Sequence, residues 1–281
     1  MALSFAASVL AADVAAASAC VWKVTAPNGG TAYLGGSIHA LRSTDYPLPA
    51  AFNRAFDASE RIVFEVDQSA LARSTGSMMK AGQYPRGDSL RNHVDPRTYS
   101  YVRRLFGMMR VPEAEFSRFR PWYIVLNLQA PGSRSGFSGS LGVDEFLLRR
   151  ARANRKPVSG LESLDEHLAV FSGLNDQQSE LLLLFTLVPQ GDQTEEGMPW
   201  LQAWRAGDAD KIESMMREGY KEFPSFENRL LAMRNRRWIP KIEGYLQSGH
   251  TYFVVAGAAH FGGPEGVLAL LRARGYSITQ M

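Results

Sequence analysis

The chain has 281 residues, of which 45% are hydrophobic and 21% are charged, and its formal net charge is +3. This is the composition of a globular protein with a sizeable core, in one large domain or two small ones. Because Lys and Arg form no long dense run, we expect no nucleic-acid partner. The single cysteine, Cys20, excludes an internal disulfide framework and a cysteine-based zinc site.

The first residues are typical of an export signal. Residues 2–19 are almost wholly small or apolar, and Asp13 is their only charge. The Ala-Ser-Ala sequence at 17–19 fits the small-x-small rule for signal cleavage, although a basic start is missing. We therefore expect 1–19 to be a signal peptide-like segment and the mature protein to be periplasmic or secreted. Cys20 follows directly, so a lipid on this residue, and thereby peripheral membrane attachment, is a further hypothesis.

Strand patterns dominate the next part of the chain. Two short ones, at 21–25 and 31–37, are separated by Pro-Asn-Gly-Gly, which is a hairpin signal. A helical pattern at 50–58 follows. The apolar run at 61–67 then predicts a third strand.

The middle of the chain is largely helical from about residue 68 to 248, with one short strand predicted at 156–160. A long helix is predicted at 226–247, which Pro240 should kink or break. The remaining predicted helices are 68–83, 89–94, 95–109, 116–128, 143–153 and several between 164 and 222.

Two last strands, at 252–256 and 276–279, flank a helix at 265–274. Strands therefore cluster near both ends of the chain. The pattern predicts an α/β (α+β) fold for 20–281, a single domain. Its central sheet is built from both chain ends, with a helical insertion at about 68–248.

Two histidines occupy the same kind of position at opposite ends of the chain. His39 and His260 each end a Gly-x-x-His sequence that follows a predicted strand. Open α/β sheets bind ligands at the carboxyl ends of their strands. We therefore predict that both face one cleft, on strands that are neighbours or nearly so. Histidine is the commonest metal ligand and titrates nearest neutrality. The alternative is two structural histidines near loops.

Three acidic residues are candidates for the same cleft. Glu65 lies in an otherwise apolar strand, where a buried carboxylate needs a cation, a metal or a hydrogen-bond donor. It is interpreted as a metal ligand or general base, with a salt bridge to an arginine as the alternative. Asp144 begins a helix after a glycine, so a first-turn carboxylate is its alternative. Glu162 leaves the short middle strand and can face the cleft.

A basic residue and its neighbours complete the candidates. Arg234, followed by Asn235, lies on the long helix before the last core strand, and can hold a carboxylate or an oxyanion. Ser37 precedes His39 by two residues, but no Ser-His-Asp order or nucleophile elbow accompanies it. His-Glu-x-x-His and a phosphate-binding glycine loop are both missing from the sequence.

Taken together, these motifs resemble the TraB/GumN (PrgY) family over residues 20 to the end. The sequences that carry the resemblance are LGGSIH at 34–39, FE at 64–65, GVD at 142–144, GLE at 160–162, RN at 234–235 and GAAH at 257–260. The family resembles the Tiki proteases, which are described as metal-dependent. One difference is Gly-Ser in the first motif, where relatives often have Gly-Thr.

The resemblance implies an α/β core that holds His39, Glu65 and His260 in one cleft, with Arg234 in support. These three residues would be the metal ligands, for a divalent ion such as Mn, Co or Zn. The remaining polar candidates, Asp144, Glu162 and Asn235, would support the site.

Three functions remain open from the sequence. The first is a metal-dependent hydrolase that acts on a peptide or small molecule, since two imidazoles and a carboxylate can bind a divalent ion and leave a position for water. The second is a hydrolase without metal, in which His39 activates water while His260, Arg234 and Glu65 orient it or stabilise an oxyanion. The third is a non-enzymatic extracytoplasmic binder that sequesters a signalling peptide, a metal or haem. The sequence predicts no oligomeric state.

Overall fold

The structure, a computed structural model, describes residues 18–128, 136–187 and 198–281. The signal peptide-like segment predicted at 1–19 therefore lies almost wholly outside the described residues, and export stays a prediction. None of the helices described is both long and apolar enough to cross a bilayer.

The strands and helices are numbered in chain order. The strands are β1 (Val21–Thr25), β2 (Thr31–Ser37), β3 (Arg61–Val66), β4 (Val158–Glu162), β5 (Tyr252–Gly257) and β6 (Ser277–Gln280). The helices are α1 (Ala50–Ala58), α2 (Gln68–Arg73), α3 (Thr75–Gly82), α4 (Pro96–Met108), α5 (Glu113–Phe116), α6 (Pro121–Leu128), α7 (Val143–Ala153), α8 (Leu164–Ser172), α9 (Asp176–Leu187), α10 (Pro199–Arg205), α11 (Ala209–Gly219), α12 (Pro224–Leu230), α13 (Ala232–Gln247) and α14 (Val267–Arg272).

The strands form one mixed sheet in the order β4-β3-β5-β2-β1-β6. The four strands β4, β3, β5 and β2 run parallel, whereas β1 pairs antiparallel with both β2 and β6. The α/β class is thus confirmed. The last core strand, β5, lies between two strands from the start of the chain, so the carboxyl ends of β3, β5 and β2 meet at one edge.

The sheet is not built from the chain ends alone. The strand predicted at 156–160 lies at Val158–Glu162 and pairs in parallel with β3, although it belongs to the largely helical middle. Its partner β3 is apolar on both faces, with Ile62 and Val63 fully buried, and a strand of this kind needs a neighbour on each side. This pairing brings Glu162 to the edge where β3 ends.

The predicted long helix is divided at a different place from the one expected. The break falls at Leu231, between α12 and α13, and α13 then continues through Pro240. Trp238, Ile239 and Ile242 are all buried on either side of the proline. Their packing against the core outweighs the hydrogen bond that proline cannot donate. Because α13 begins after Leu231, its first turns face the sheet edge.

Cys20 lies inside the folded domain. Its side chain is fully buried, and burial, aided by the charge of Asp208, raises the pKa of its thiol to about 12. The backbone carbonyl of Cys20 accepts a hydrogen bond from the Gly36 amide at 2.7 Å. The fold therefore presents no thiolate here for reaction at the surface. Lipid attachment at Cys20 stays a prediction.

Candidate active site

The two Gly-x-x-His histidines leave neighbouring parallel strands. The register of β2 and β5 pairs Ser37 with Gly257, and His39 and His260 follow these two residues along the chain. Both histidines line one cavity of about 460 Å³, together with Glu65 and Arg234. The structure therefore brings together the four residues that the sequence proposes for the centre.

Gly257 marks the middle of this centre. A Cβ atom built on it would lie 3.4 Å from Oε1 of Glu65, 3.7 Å from Nε2 of His39 and 3.7 Å from Cδ2 of His260. Both rings are thus within 3.7 Å of a single point. A ligand at that point would contact both imidazoles and the carboxylate.

Hydrogen bonds fix the tautomer of His260. Asn235 uses its amide nitrogen to donate to the carbonyl of Glu265 at 2.9 Å, so its Oδ1 accepts from Nδ1 of His260 at 2.6 Å. A guanidinium group can only donate hydrogen bonds, so Nη1 of Arg234 must donate to Nε2 of the imidazole, at 3.1 Å. His260 is therefore neutral. Burial is also the main reason that its pKa falls to about 3.

Asp144 orients His39 and does not serve only as a first-turn carboxylate of α7. Its Oδ2 lies 2.8 Å from Nδ1 of His39, and its charge is the main cause that raises the pKa of this imidazole to about 9, so the ring is protonated at neutral pH. The turn that begins α7 is placed by a hydrogen bond of 3.0 Å from the Val143 amide to the Ile38 carbonyl. Gly142 is required beside it, because a Cβ there would overlap the His39 carbonyl. In the described part of the chain, Nε2 of His39 has no hydrogen-bond partner and faces the cleft.

Glu65 is held from two sides at the end of β3. Its Oε1 accepts from the Gly257 amide at 2.7 Å, and its Oε2 accepts from Nη2 of Arg234 at 2.5 Å. Burial alone would raise the pKa of Glu65, but Arg234, the two histidines and the Gly257 amide together outweigh it and hold the pKa well below its ordinary value. The carboxylate is therefore ionised at neutral pH. Glu65 therefore forms the salt bridge to an arginine that was one interpretation of the sequence, and it also lines the cleft, as the other interpretation requires.

Arg234 links Glu65 to a second buried carboxylate. Its Nη2 and Nε donate to the two oxygens of Glu162 at 2.6 and 3.1 Å, and Nε1 of Trp238 donates to Glu162 at 3.3 Å. His167, on α8, contacts the same carboxylate through Nδ1 at 2.7 Å. Burial alone would raise the pKa of Glu162, but the opposing effects of His167 and Arg234 are together larger. The pKa of Glu162 is therefore below its ordinary value.

His167 and Trp238 were missed in the sequence. A signal for His167 was present: Ser163 and Glu166 form a capping box that begins a helix directly after β4. The first turn of this helix places His167 beside Glu162. The signal for Trp238 was its place one turn after Arg234 on the same helix.

Two donor sets fit a divalent cation to different degrees. Glu65, Glu162 and His167 offer ligand atoms within 4.8 Å of one another, but the Arg234 guanidinium already forms ion pairs with both carboxylates there. In the other set, His39 Nε2 and Glu65 Oε1 are open to the cleft. Its third member, His260, has the lone pair of Nε2 engaged by Arg234. Each imidazole has its Nδ1 held by another side chain, the arrangement typical of histidine ligands. Among the described residues, only the first set has its three ligand atoms within 4.8 Å of one another, so His39, Glu65 and His260 would have to move closer together to hold one cation.

The centre lies between two cavities. His39, Glu65 and His167 also line a second cavity of about 290 Å³, on whose wall Asp144 and Glu145 lie. The far wall of the larger cavity is mainly apolar and includes Phe171, Leu182, Trp200, Met216 and Phe226. A substrate at Glu65 would therefore have room on two sides.

Fold and site together define an α/β protein with two Gly-x-x-His histidines, a glutamate and an arginine at one sheet edge. The model of the TraB/PrgY/gumN family matches residues 20–280, so the chain belongs to this family, as the motifs predicted. The Escherichia coli K12 "Uncharacterized protein YbaP" is 23% identical over 252 residues, which cover 89% of this chain and 90% of that protein. "Metalloprotease TIKI2" of Danio rerio is 23% identical over 319 residues, covering 92% of this chain and 60% of the relative. No solved structure matches the chain significantly.

A methyl group at the centre provides a local test. Gly257 has φ −51° and ψ 136°, which any residue adopts, and an added Cβ makes only ordinary contacts. Gly257→Ala should therefore fold with a melting temperature near that of the wild type. The methyl fills the space between the imidazoles, so turnover should fall about 10-fold or more. Gly244→Ala, in α13 with open space around it, is the control and should leave turnover unchanged. A fully active Gly257→Ala protein would place the reacting atoms elsewhere.

Proposed function

We propose that the protein is a metal-dependent hydrolase that cleaves peptide-type bonds. The observation that carries the proposal is the pairing of the free Nε2 of His39 with Oε1 of Glu65 at one point of the cleft. The similarity to proteins named metalloproteases supports it. The two cavities on either side of Glu65 suit a bond within an extended chain.

Each residue at the centre would have a separate role in the reaction. His39 and Glu65 would hold the ion, and His260 would join them when Arg234 donates only to the two carboxylates. A bound divalent ion supplies a water of lowered pKa and polarises a carbonyl. Asp144 accepts from Nδ1 of His39, so that Nε2 faces the centre and would bind the ion after losing its own proton. Arg234, fixed by Glu65 and Glu162, lies where it can stabilise negative charge that develops on the substrate.

A specific observation favours the metal-free hydrolase as the second candidate. The guanidinium of Arg234 already provides a cation among Glu65, Glu162 and His167. His39, held by Asp144, then has the arrangement of a general base that takes a proton from water. In this version the charge of Asp144 stabilises the imidazolium that forms.

Turnover of an internally quenched peptide library by the purified protein tests both candidates. Each assay is run after removal of metal with a chelator and after addition of Mn²⁺, Co²⁺ or Zn²⁺. The metal-dependent reaction should fall about 100-fold or more with chelator and return with one of the ions. His39→Gln should abolish it, whereas His250→Gln should not, because His250 pairs with Glu60 at the surface, away from the cleft.

The outcomes separate the candidates. Turnover that ignores chelator but is lost in His39→Gln identifies the metal-free hydrolase. Binding of peptides without any turnover, under all ions, overturns both enzymes and favours the binder.

A further inference from the structure

Ser37 carries a hydroxyl group for which the fold provides no partner. It is the last residue of β2, its exposed fraction is only 1%, and Oγ makes no hydrogen bond in the described structure. Buried hydroxyls normally have a partner, because leaving one unsatisfied is costly. Ser59, a second buried serine, follows this rule and donates to the Ala55 carbonyl at 2.8 Å. The isolated hydroxyl of Ser37 therefore calls for an explanation.

The register of the sheet shows where this hydroxyl lies. Ser37 pairs with Gly257 across β2 and β5, and side chains of paired residues point to the same face of a sheet. That face is the one on which a Gly257 Cβ would contact Glu65, His39 and His260. Neighbouring strands are about 4.8 Å apart, so the hydroxyl lies one strand spacing from that point. Ser37 also lines the larger cavity.

Ser37 is not built as a nucleophile. An activated serine needs a base within hydrogen-bond reach, and Oγ has no such partner among the residues described. Its hydroxyl can instead donate to, or accept from, an oxygen atom that enters the centre. The charged groups around the point, Glu65 and Arg234, are already occupied with each other. Besides Nε2 of His39, Ser37 is thus a further group that is free to bind a ligand.

We propose that the Ser37 hydroxyl binds the reacting oxygen at this centre, an assignment that rests on the proposed hydrolase function. This oxygen belongs either to the attacking water or to the substrate carbonyl. The hydroxyl oxygen has less than 1 Å² of accessible surface, so the cavity lining must shift slightly before it contacts that oxygen and stabilises the charge that develops there. The fold tolerates the unpartnered group because the ligand supplies the partner.

Three variants test the assignment through melting temperature and steady-state kinetics of the full chain with the peptide library. Ser37→Ala removes no hydrogen bond within the protein, so its melting temperature should equal or exceed that of the wild type. Its kcat/KM should fall about 10-fold or more. Ser37→Thr retains a hydroxyl and should recover most of this loss. Ser59→Ala should show the opposite pattern, with a lower melting temperature and unchanged kinetics.

The kinetic constants show at which stage of the reaction the hydroxyl binds the oxygen. If the hydroxyl holds the attacking water or the developing oxyanion, kcat falls while KM stays. If it binds the substrate carbonyl equally in the ground state, KM rises while kcat stays.

Two results would overturn the assignment. A melting temperature of Ser37→Ala that falls like that of Ser59→Ala would show a structural partner for the hydroxyl. An active wild type with an equally active Ser37→Ala would remove the role while leaving the hydrolase intact. Failure of the proposed function itself is recognised earlier, because the wild type would then turn over no peptide.

Discussion

Replacing Glu65 by glutamine is expected to reduce turnover about 100-fold or more while the protein remains folded. The substitution preserves shape but removes the negative charge from the point that both imidazoles approach. A neutral amide is a weak ligand for a divalent cation and cannot act as a base. The loss should therefore appear in kcat/KM under every metal condition, together with weaker metal binding measured by calorimetry.

Stability should fall only moderately in Glu65→Gln. One amide oxygen cannot accept both from the Gly257 amide and from Arg234, so one hydrogen bond is lost, at a cost of about 1–3 kcal/mol. Arg234 is not left as an unpaired buried charge, because Glu162 still accepts from it.

Asp45→Asn is the matched control for Glu65→Gln. Asp45 is also a buried carboxylate paired with arginines, Arg42 and Arg205, but it does not line either cavity of the site. Its substitution should lower the melting temperature and leave kcat/KM near the wild-type value. If Glu65→Gln behaves like Asp45→Asn, with stability lost and activity kept, Glu65 belongs to the scaffold and not to the reaction.

Replacing Arg234 by methionine should cause the largest loss of stability. Methionine fills similar space but leaves Glu65 and Glu162 as two buried carboxylates without their common cation, and His260 without the donor to Nε2. Removing one partner from a buried ion pair costs about 3–5 kcal/mol. Urea unfolding near neutral pH measures the difference, and turnover should be lost as well.

The loss of stability in Arg234→Met should be larger at higher pH. Burial raises the pKa of Glu65 and of Glu162, yet in the wild type the balance is a lowered pKa for both, to which Arg234 contributes. This contribution to stability is present above the unfolded-state pKa of about 4.3 and is lost as the pH falls. Without Arg234, burial raises both pKa values. The difference from wild type should therefore be greatest near about pH 8 and shrink toward about pH 5.

Two comparisons make this prediction specific. Arg236→Met, on the same helix, removes an exposed pair with Glu265 and should change stability by no more than about 0.5 kcal/mol. With the guanidinium removed, the three ligand atoms of Glu65, Glu162 and His167 become available. Mn²⁺ should then raise the melting temperature of Arg234→Met more than that of the wild type. If the loss of stability in Arg234→Met does not change with pH, Arg234 stabilises the protein through packing and not through its charge.

The sequence by itself determined the strands, the class of fold and the place of the two histidines. These features are local: an apolar run predicts a buried strand, and glycines directly after it permit the turn into each Gly-x-x-His. Glu65 was recognisable for the same reason, as a charge flanked by the apolar residues Phe64 and Val66 inside a strand pattern. The family motifs then assigned these segments to one protein family, which the match over 20–280 confirms.

Only the tertiary structure decided which partner each polar group has. Asp144 and His39 are 105 residues apart in the chain, and Arg234 and Glu65 are 169 apart, so no local pattern relates them. The sequence left Asp144 between a helix end and the cleft, and Glu65 between a salt bridge and a catalytic role. The partner of each residue was decided by the register of the sheet, which determines the strand ends that lie side by side.

The same physical reason explains what the sequence missed. His167 joins the site because β4 pairs with β3 and carries α8 to the sheet edge, and α13 passes through Pro240 because the core holds it on both sides. The unpartnered hydroxyl of Ser37 is likewise a property of its surroundings. Periodicity and turn residues report what a segment prefers, whereas burial, pairing and charge compensation arise only when distant segments meet.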